Sequence, residues 1–459
     1  MKLLLKNLGA AGAGSIDLDK RINLFCGPNS TGKTYVAFAV YALLCRKILL
    51  NENEGYVDTL TKDWTVTIDI SKQNLHLYRA LLLNELKATL TEAYGIGQKD
   101  VKSIFSNFDM KYEETDDEFF AETVKRKIDR NVVVQGINVK ISKKNDSDKL
   151  TLTILDERIS EENIPGMKLL MNSAVCHTLV LSPINNLTML PVERNSIYTF
   201  SKELSLTRQM TIDQMQAVVE KGAKNVKLMD IINKNSNRYP LPITHRIKEA
   251  NDLVQIKKQT SAYSEFATQL EEELLHGKVE ISDDGEIRFR PDKINSRTLP
   301  IVATASIVKT MSSLVVYLKH QAQKDDLIII DEPEINLYPA NQIALTRVMA
   351  RLANMGLRLM VSTHSDYIIR ELNNLIMMSN KENQTVSRLR EDKEYMENEY
   401  INPEDIAVNY FDYKTKASKR ATITQISVDR RGFDVEGIND IIERQNRISE
   451  TLYYGLEDE

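Results

Sequence analysis

The sequence predicts an α/β fold with a mainly parallel sheet, an antiparallel β subdomain and an inserted helical region, and three stretches carry that prediction. The first runs from Ile22 to Lys47. Ile22-Asn23-Leu24-Phe25 reads as a short strand, and Gly27-Pro28-Asn29-Ser30-Thr31-Gly32-Lys33-Thr34 fits G-x-x-x-x-G-K-[ST]. Tyr35 to Lys47 reads as a helix, with no Pro or Gly. Strand, glycine-rich turn and helix together make a phosphate-cradling loop. Its glycines let backbone N–H groups converge, and the helix N-terminus adds positive potential. The second stretch, Leu327-Ile328-Ile329-Ile330-Asp331-Glu332, is an aliphatic run ending in two carboxylates. Such a run suits a strand buried on both faces of a parallel sheet, with the acids emerging at its carboxyl end where ligands bind. The third, Leu357 to Thr363, is another apolar strand, ending in Ser362-Thr363-His364-Ser365.

The chemistry expected of these residues is nucleoside-triphosphate binding and hydrolysis. Lys33 reaches the β- and γ-phosphates, and Thr34 helps hold Mg²⁺. Asp331 suits the same Mg²⁺, directly or through water, and Glu332 suits the base that polarises the attacking water. His364 comes after a core strand beside the Asp-Glu strand, a place for a γ-phosphate sensor. Arg194, in Leu190-Pro191-Val192-Glu193-Arg194, stands either near the nucleotide or in a buried ion pair.

Elsewhere along the chain, Lys2 to Leu8 and Ser15 to Leu18 read as strands around a Gly/Ala-rich turn. Trp64 to Ile70 alternates as a half-buried strand, and Leu75 to Tyr94 reads as a helix. Glu113 to Glu118 is an acidic run, read as a solvated loop with a metal-carboxylate cluster as the sharper option. Val132 to Leu155 contains a hairpin: Ile137, Val139 and Ile141 alternate, and Leu150, Leu152 and Ile154 alternate back. Thr178 to Ser182 reads as a second apolar strand. From Tyr198 to about Leu275 the chain turns helical and polar, broken near Tyr239-Pro240-Leu241-Pro242. Lys278 to Pro291 is a hairpin turned by Asp284-Gly285. Ile307, Met311, Leu314, Val315 and Leu318 repeat at helical spacing. After a charged linker (Lys381 to Glu399), Ile423, Ile426 and Val428 read as a strand and Gly437 to Tyr454 as a helix.

Composition sets bounds. The chain is 42% hydrophobic and 27% charged with a formal net charge of −5, so any nucleic-acid contact is a local patch, such as Lys125-Arg126-Lys127 or Lys414 to Arg420. Three cysteines (Cys26, Cys45 and Cys176) show no metal-type spacing and fit a reducing cytoplasm. No run of about 18 apolar residues predicts a membrane span. The expected location is cytoplasmic.

GPNSTGKT, IIIDEPEINLYPANQ and VSTHSDYIIRELNNLI, in this order, resemble the ABC-type ATPases of the SMC, RecF and OLD group. The resemblance implies a Walker A loop, a Walker B strand with its catalytic glutamate and D-loop, and a His switch. It makes Lys33, Glu332 and His364 the catalytic set, and Asp331 with Thr34 the Mg²⁺ ligands. Gly27, Pro28, Asn29, Ser30, Thr31, Gly32, Lys33 and Thr34 become the ATP-binding loop, and Asn336 to Asn341 the D-loop at a dimer interface. Thr304-Ala305-Ser306-Ile307-Val308-Lys309 stands where the group's Ser/Gly-rich signature should be. It lacks the glycines and resembles the degenerate signature of defence-type members, which makes Ser306 and Lys309 contacts offered to ATP across the dimer. Read from the residues alone, Ser306 is a helix N-cap.

The chain reading and the resemblance together divide the sequence into four expected parts. Residues 1–197 are an N-terminal ATPase lobe with Walker A and β hairpins, and 198–277 a helical insertion. Residues 278–380 are a C-terminal lobe with signature-like turn, Walker B, D-loop and His switch, and 381–459 a linker with a strand-helix element. HSDYIIRELNNLI is similar to stand-alone OLD-like ATPases of PARIS- and Septu-type antiphage systems. That implies slow regulatory hydrolysis, an ATP-sandwich dimer open to higher association, a separate nuclease or toxin effector and a phage-encoded trigger. A DNA-repair ATPase clamping DNA is the alternative, and a self-contained metal-dependent nuclease is the second. No Asp-x-Asp cluster of the OLD nuclease kind stands beyond the linker, and no long heptad stretch makes an SMC arm.

Overall fold

The computed structural model describes residues 1–49, 55–156, 164–200, 239–293, 297–415 and 417–457. Sixteen strands are defined among them. The first eight are β1 (Lys2–Leu8), β2 (Ala11–Asp17), β3 (Ile22–Cys26), β4 (Thr65–Asp69), β5 (Asp109–Tyr112), β6 (Ile128–Val134), β7 (Ile137–Lys143) and β8 (Lys149–Ile154). The other eight are β9 (Leu187–Leu190), β10 (Gly277–Ile281), β11 (Ile287–Pro291), β12 (Leu299–Pro300), β13 (Leu327–Asp331), β14 (Arg358–Thr363), β15 (Ile406–Asp412) and β16 (Thr422–Ile426).

The central sheet has the order β16-β15-β3-β14-β13-β9. Its strands from β15 to β9 are parallel, and β16 closes one edge antiparallel to β15. Every residue of β3, β13 and β14 is buried. The cause is legible in the pleat, because successive side chains point to opposite faces. Leu327 and Ile329 enter one hydrophobic core with Phe25, Met360 and the helix Lys33–Leu44. Ile328 and Ile330 enter the other, with Leu24, Leu359, Val361 and the helices Ser306–His320, Pro339–Asn354 and Asp366–Met377. A strand apolar at every position is what a two-sided core requires.

Three antiparallel sheets flank this centre: β2-β1-β5, β4-β8-β7-β6 and β10-β11-β12. The expected hairpins are β7–β8, in register Ile141↔Leu152, and β10–β11, in register Val279↔Phe289. The first small sheet is stitched to the central edge, since Gly12 N–H donates to Ala421 O at 2.6 Å and Ala421 N–H to Ala10 O at 2.9 Å.

Several expectations are corrected. Thr178–Ser182 is not a strand: it is the end of the helix Ile164–Leu181, and the strand beside β13 comes later, as β9. A four- or five-residue apolar run has no period with which to distinguish a strand from the last turn of a buried helix. The predicted helix Leu75–Tyr94 is two helices, Lys72–Ala88 and Leu90–Tyr94. The acidic run is structural. Thr115 caps the helix Asp116–Lys125 through a reciprocal pair with Glu118, and buried Arg79 binds Asp116 at 2.6 Å and Glu114 at 3.1 Å. The charged linker is docked to the core, not free. It carries the helix Gln384–Glu391, Arg347 lies 4.2 Å over the Tyr395 ring, and buried Glu399 stands 3.7 Å from Arg351. Of the expected helical insertion, residues 201–238 lie outside the described residues. Its later part is helical (Leu241–Asn251, Leu253–Ile256, Ser264–Leu270), with Pro240 as the N-cap of the first helix. Among the described residues no helix is long and apolar enough to cross a membrane.

Candidate functional site: a phosphate loop facing two carboxylates

The parallel strands deliver the chemistry to one edge. β3 ends at Cys26 and the chain turns through Gly27–Gly32 into the helix Lys33–Leu44, whose N-cap is Gly32 at φ 95°. Gly27 adopts φ 130°, and a Cβ there would stand 2.2 Å from the Phe411 carbonyl oxygen, so no side chain fits. Pro28, Asn29, Ser30 and Thr34 are exposed, while Thr31 is buried with its hydroxyl donating to Pro28 O at 2.8 Å. The unpaired N–H groups of the helix's first turn face this loop.

Lys33 is buried and donates to Gly27 O at 2.8 Å and Pro28 O at 2.7 Å. Burial pulls its pKa below the usual lysine range, while Glu332 and Asp331 oppose that pull. The Thr34 hydroxyl donates to Asp331 Oδ2 at 2.9 Å. The Ser362 hydroxyl donates to the other oxygen of Asp331. Burial raises the Asp331 pKa, and the bonds from Ser362 and Thr34 hold it down. A hydroxyl and a carboxylate oxygen in contact, beside a lysine and a helix N-terminus, form a donor set that suits Mg²⁺ with a polyphosphate.

Glu332 leaves the strand in a left-handed conformation (φ 48°), with its N–H donating to Ser362 O at 2.9 Å. That turn aims its partly exposed carboxylate at His364, whose Nδ1 stands 3.7 Å from Glu332 Oε1. Arg194 resolves the sequence's two options in a third way. It is 2% exposed and donates to backbone carbonyls: Asp331 O at 2.6 Å, Glu332 O at 2.7 Å and Pro191 O at 3.0 Å. Burial lowers its pKa to about 10, against the pull of Asp331 and Glu334. It pins the turn that presents both carboxylates.

Beyond Glu332, Asn336 is left-handed (φ 61°) and Tyr338, 74% exposed, precedes the helix Pro339–Asn354. Gln342 ties this segment to the switch strand, donating to Leu337 O at 2.9 Å and accepting from the Ser365 hydroxyl at 2.5 Å. The structure thus brings Lys33, Thr34, Asp331, Glu332 and His364 together. Ser306 and Lys309 stand apart and bond to none of them among the described residues. The N-cap of the helix Ser306–His320 is Ala305, so Ser306 is its exposed first residue and not its cap. Glu334 and Ser362 escaped the sequence reading. The signal for Glu334 was a third acid in Asp331-Glu332-Pro333-Glu334, two residues past the catalytic candidate.

A family model described as AAA ATPase domain matches residues 1–369, from the first strand through the His364 turn. The chain belongs to this AAA ATPase domain family. It therefore carries a P-loop ATPase domain, and ATP with Mg²⁺ is the ligand such a domain takes. No curated protein matches the sequence. Solved structures similar to this AAA ATPase domain protein include an SMC head bound to the C-terminal winged-helix domain of ScpA, with 12% identity, 94% of this chain and 98% of that chain covered, and a TM-score of 0.37. Another is an Smc head with extended coiled coil bound to the C-terminal domain of ScpA from Pyrococcus furiosus, with 13% identity, 98% of each chain covered and a TM-score of 0.35. A third is the SMC head from Thermotoga maritima, with 10% identity, 93% and 98% covered, and a TM-score of 0.30.

Proposed function

We propose that this AAA ATPase domain protein is a nucleotide-switched ATPase that closes head to head with a second copy. The contact that carries the reading is Thr34 Oγ1 to Asp331 Oδ2 at 2.9 Å, joining the phosphate loop to the acidic strand end. Bound Mg·ATP supplies the electrophilic phosphorus and the charge that holds the site together. The chain's own residues do the rest. Lys33 would give up its two loop carbonyls to bind phosphate, Thr34 and Asp331 would hold the metal, and Glu332 would orient a water and accept its proton. His364 stands beside that carboxylate. Exposed Ser306 at a helix start, with Lys309 one turn on, is what a second copy offers to the site from outside. Hydrolysis in such a device is slow and regulatory, and it resets the closed state.

Two cargoes fit the switch. In one, the protein clamps DNA in the manner of SMC and RecF ATPases. A specific observation favours this: the Tyr413 hydroxyl donates to Ser30 O at 2.9 Å, which sets the exposed residue Lys414 beside the phosphate loop. In the other, it is the sensor and scaffold subunit of a bacterial antiviral system, holding a nuclease or toxin until a phage protein triggers release. That one is supported by the motif resemblance alone. The self-contained nuclease has nothing in its favour, since Glu114, Asp116 and Glu118 are committed to Arg79 and Thr115, and no metal-holding acid cluster occurs among the described residues.

The deciding experiment is a pull-down of tagged Glu332→Gln with ATP beside Lys33→Ala. DNA recovered only with Glu332→Gln supports the clamp. A stoichiometric protein partner without DNA supports the effector-holding form. Equal recovery of the same material with both variants removes the nucleotide switch.

A further inference from the structure

Glu334 lies outside the catalytic set, yet it follows β13 in the chain and bonds to the end of β14. Its side chain is 7% exposed. Oε1 accepts the Thr363 hydroxyl at 2.7 Å and the His364 backbone N–H at 2.8 Å, and it stands 3.4 Å from His364 Nδ1. That same imidazole nitrogen faces Glu332 Oε1 at 3.7 Å. Oε2 of Glu334 has no hydrogen-bond partner among the described residues.

The topology explains why such a residue is needed. β13 and β14 pair in parallel up to Asp331↔Ser362, and Glu332 N–H to Ser362 O is the last backbone bond between them. Past this point no backbone bond joins the two strand ends among the described residues, so the ladder between β13 and β14 stops short of His364. The Glu334 carboxylate continues the pairing by other means, accepting a backbone and a side-chain donor from the neighbouring strand end. Bonds to a carboxylate are the stronger kind, and a buried acceptor holds its donors to one geometry. Glu334 is itself anchored, because its carbonyl accepts Leu337 N–H at 3.0 Å in the segment before the helix Pro339–Asn354.

We infer that Glu334 is a positioning residue: it fixes the His364 backbone so that Nδ1 lies between the Glu334 and Glu332 carboxylates. The inference rests on the reading of Glu332 and His364 as the catalytic pair. The test is a double-mutant cycle on the full chain, measuring ATPase kcat, KM and the affinity for a fluorescent ATP analogue in the parent, Glu334→Ala, His364→Ala and the double variant. Glu334→Ala should lower kcat about tenfold, with analogue affinity within about threefold of the parent. In the His364→Ala background the same change should cost less than about twofold, because the group it positions is gone. Glu334→Gln, which keeps an acceptor at Oε1, should stay within about threefold of the parent. If Glu334→Ala does not fold, Thr363→Val, which removes one of the two bonds, takes its place in the cycle.

Equal losses in both backgrounds would make Glu334 a structural residue and overturn the inference. So would a parental kcat for Glu334→Ala beside a slow His364→Ala, which leaves the catalytic pair standing. A parental kcat for His364→Ala itself removes His364 from catalysis and takes the inference with it.

Discussion

Arg194 offers the sharpest test of how the acidic strand end is built. Its guanidinium serves three backbone carbonyls, those of Pro191, Asp331 and Glu332, from a position 2% exposed. Arg194→Met keeps much of the volume and removes every donor. Each buried carbonyl that loses a partner costs about 1 to 3 kcal/mol, and Asp331, Glu332 and Glu334 lose their compensating charge. Relief from burying a guanidinium offsets part of this, which leaves a net loss of about 3 to 5 kcal/mol, the range for breaking a buried charged interaction. Arg194→Lys has one head in place of a fork and cannot reach Asp331 and Glu332 together, so about half that loss is expected. Guanidinium chloride unfolding reads both values from the shift in midpoint. ATP-analogue affinity should fall about tenfold in Arg194→Met, because the strand end that presents Asp331 is released. A stability change below about 1 kcal/mol with unaltered affinity would refute the assignment of Arg194 as the pin of this turn.

The same geometry sets three further outcomes. Lys33→Ala should lower ATP affinity about a hundredfold by titration calorimetry, whereas Glu332→Gln should bind normally and lose about a hundredfold or more in kcat. Gly27→Ala places a Cβ 2.2 Å from Phe411 O at φ 130°, and should cost about 2 kcal/mol or more in thermal unfolding together with nucleotide binding. His177 supplies a pH signature. Burial lowers its pKa from 6.5 to about 4, with Lys47 and Arg130 adding to the effect. The unfolded chain therefore takes up the proton first, so the stability is complete above about pH 6.5 and is lost as pH falls toward 4, by up to about 3 kcal/mol. His177→Leu should flatten that part of the stability–pH curve, and an unchanged slope would count against a half-buried neutral imidazole.

The core strands were legible because two-sided burial demands continuous aliphatic runs, and Leu327–Ile330 and Leu357–Val361 are such runs. The phosphate loop was legible because Gly27 and Gly32 sit where backbone geometry tolerates little else. What the sequence concealed is long-range. Nothing local shows that Arg194 serves carbonyls some 140 residues away, or that Glu334 bonds across to Thr363, since both depend on which strands become neighbours. Thr178–Ser182 misled because apolar content without period does not separate a strand from a helix end. The Lys381–Glu399 segment looked like a linker because its charges read as solvated, while Glu399 and Tyr395 are in fact held by Arg351 and Arg347.

The most direct test of the nucleotide switch is the mass of the Glu332→Gln protein in solution, measured by light scattering with and without Mg·ATP, beside Lys33→Ala. A head-to-head pair closing on nucleotide predicts a doubling of mass with ATP in Glu332→Gln, reversed by removing ATP and absent in Lys33→Ala. A mass that ignores ATP in both variants would contradict it.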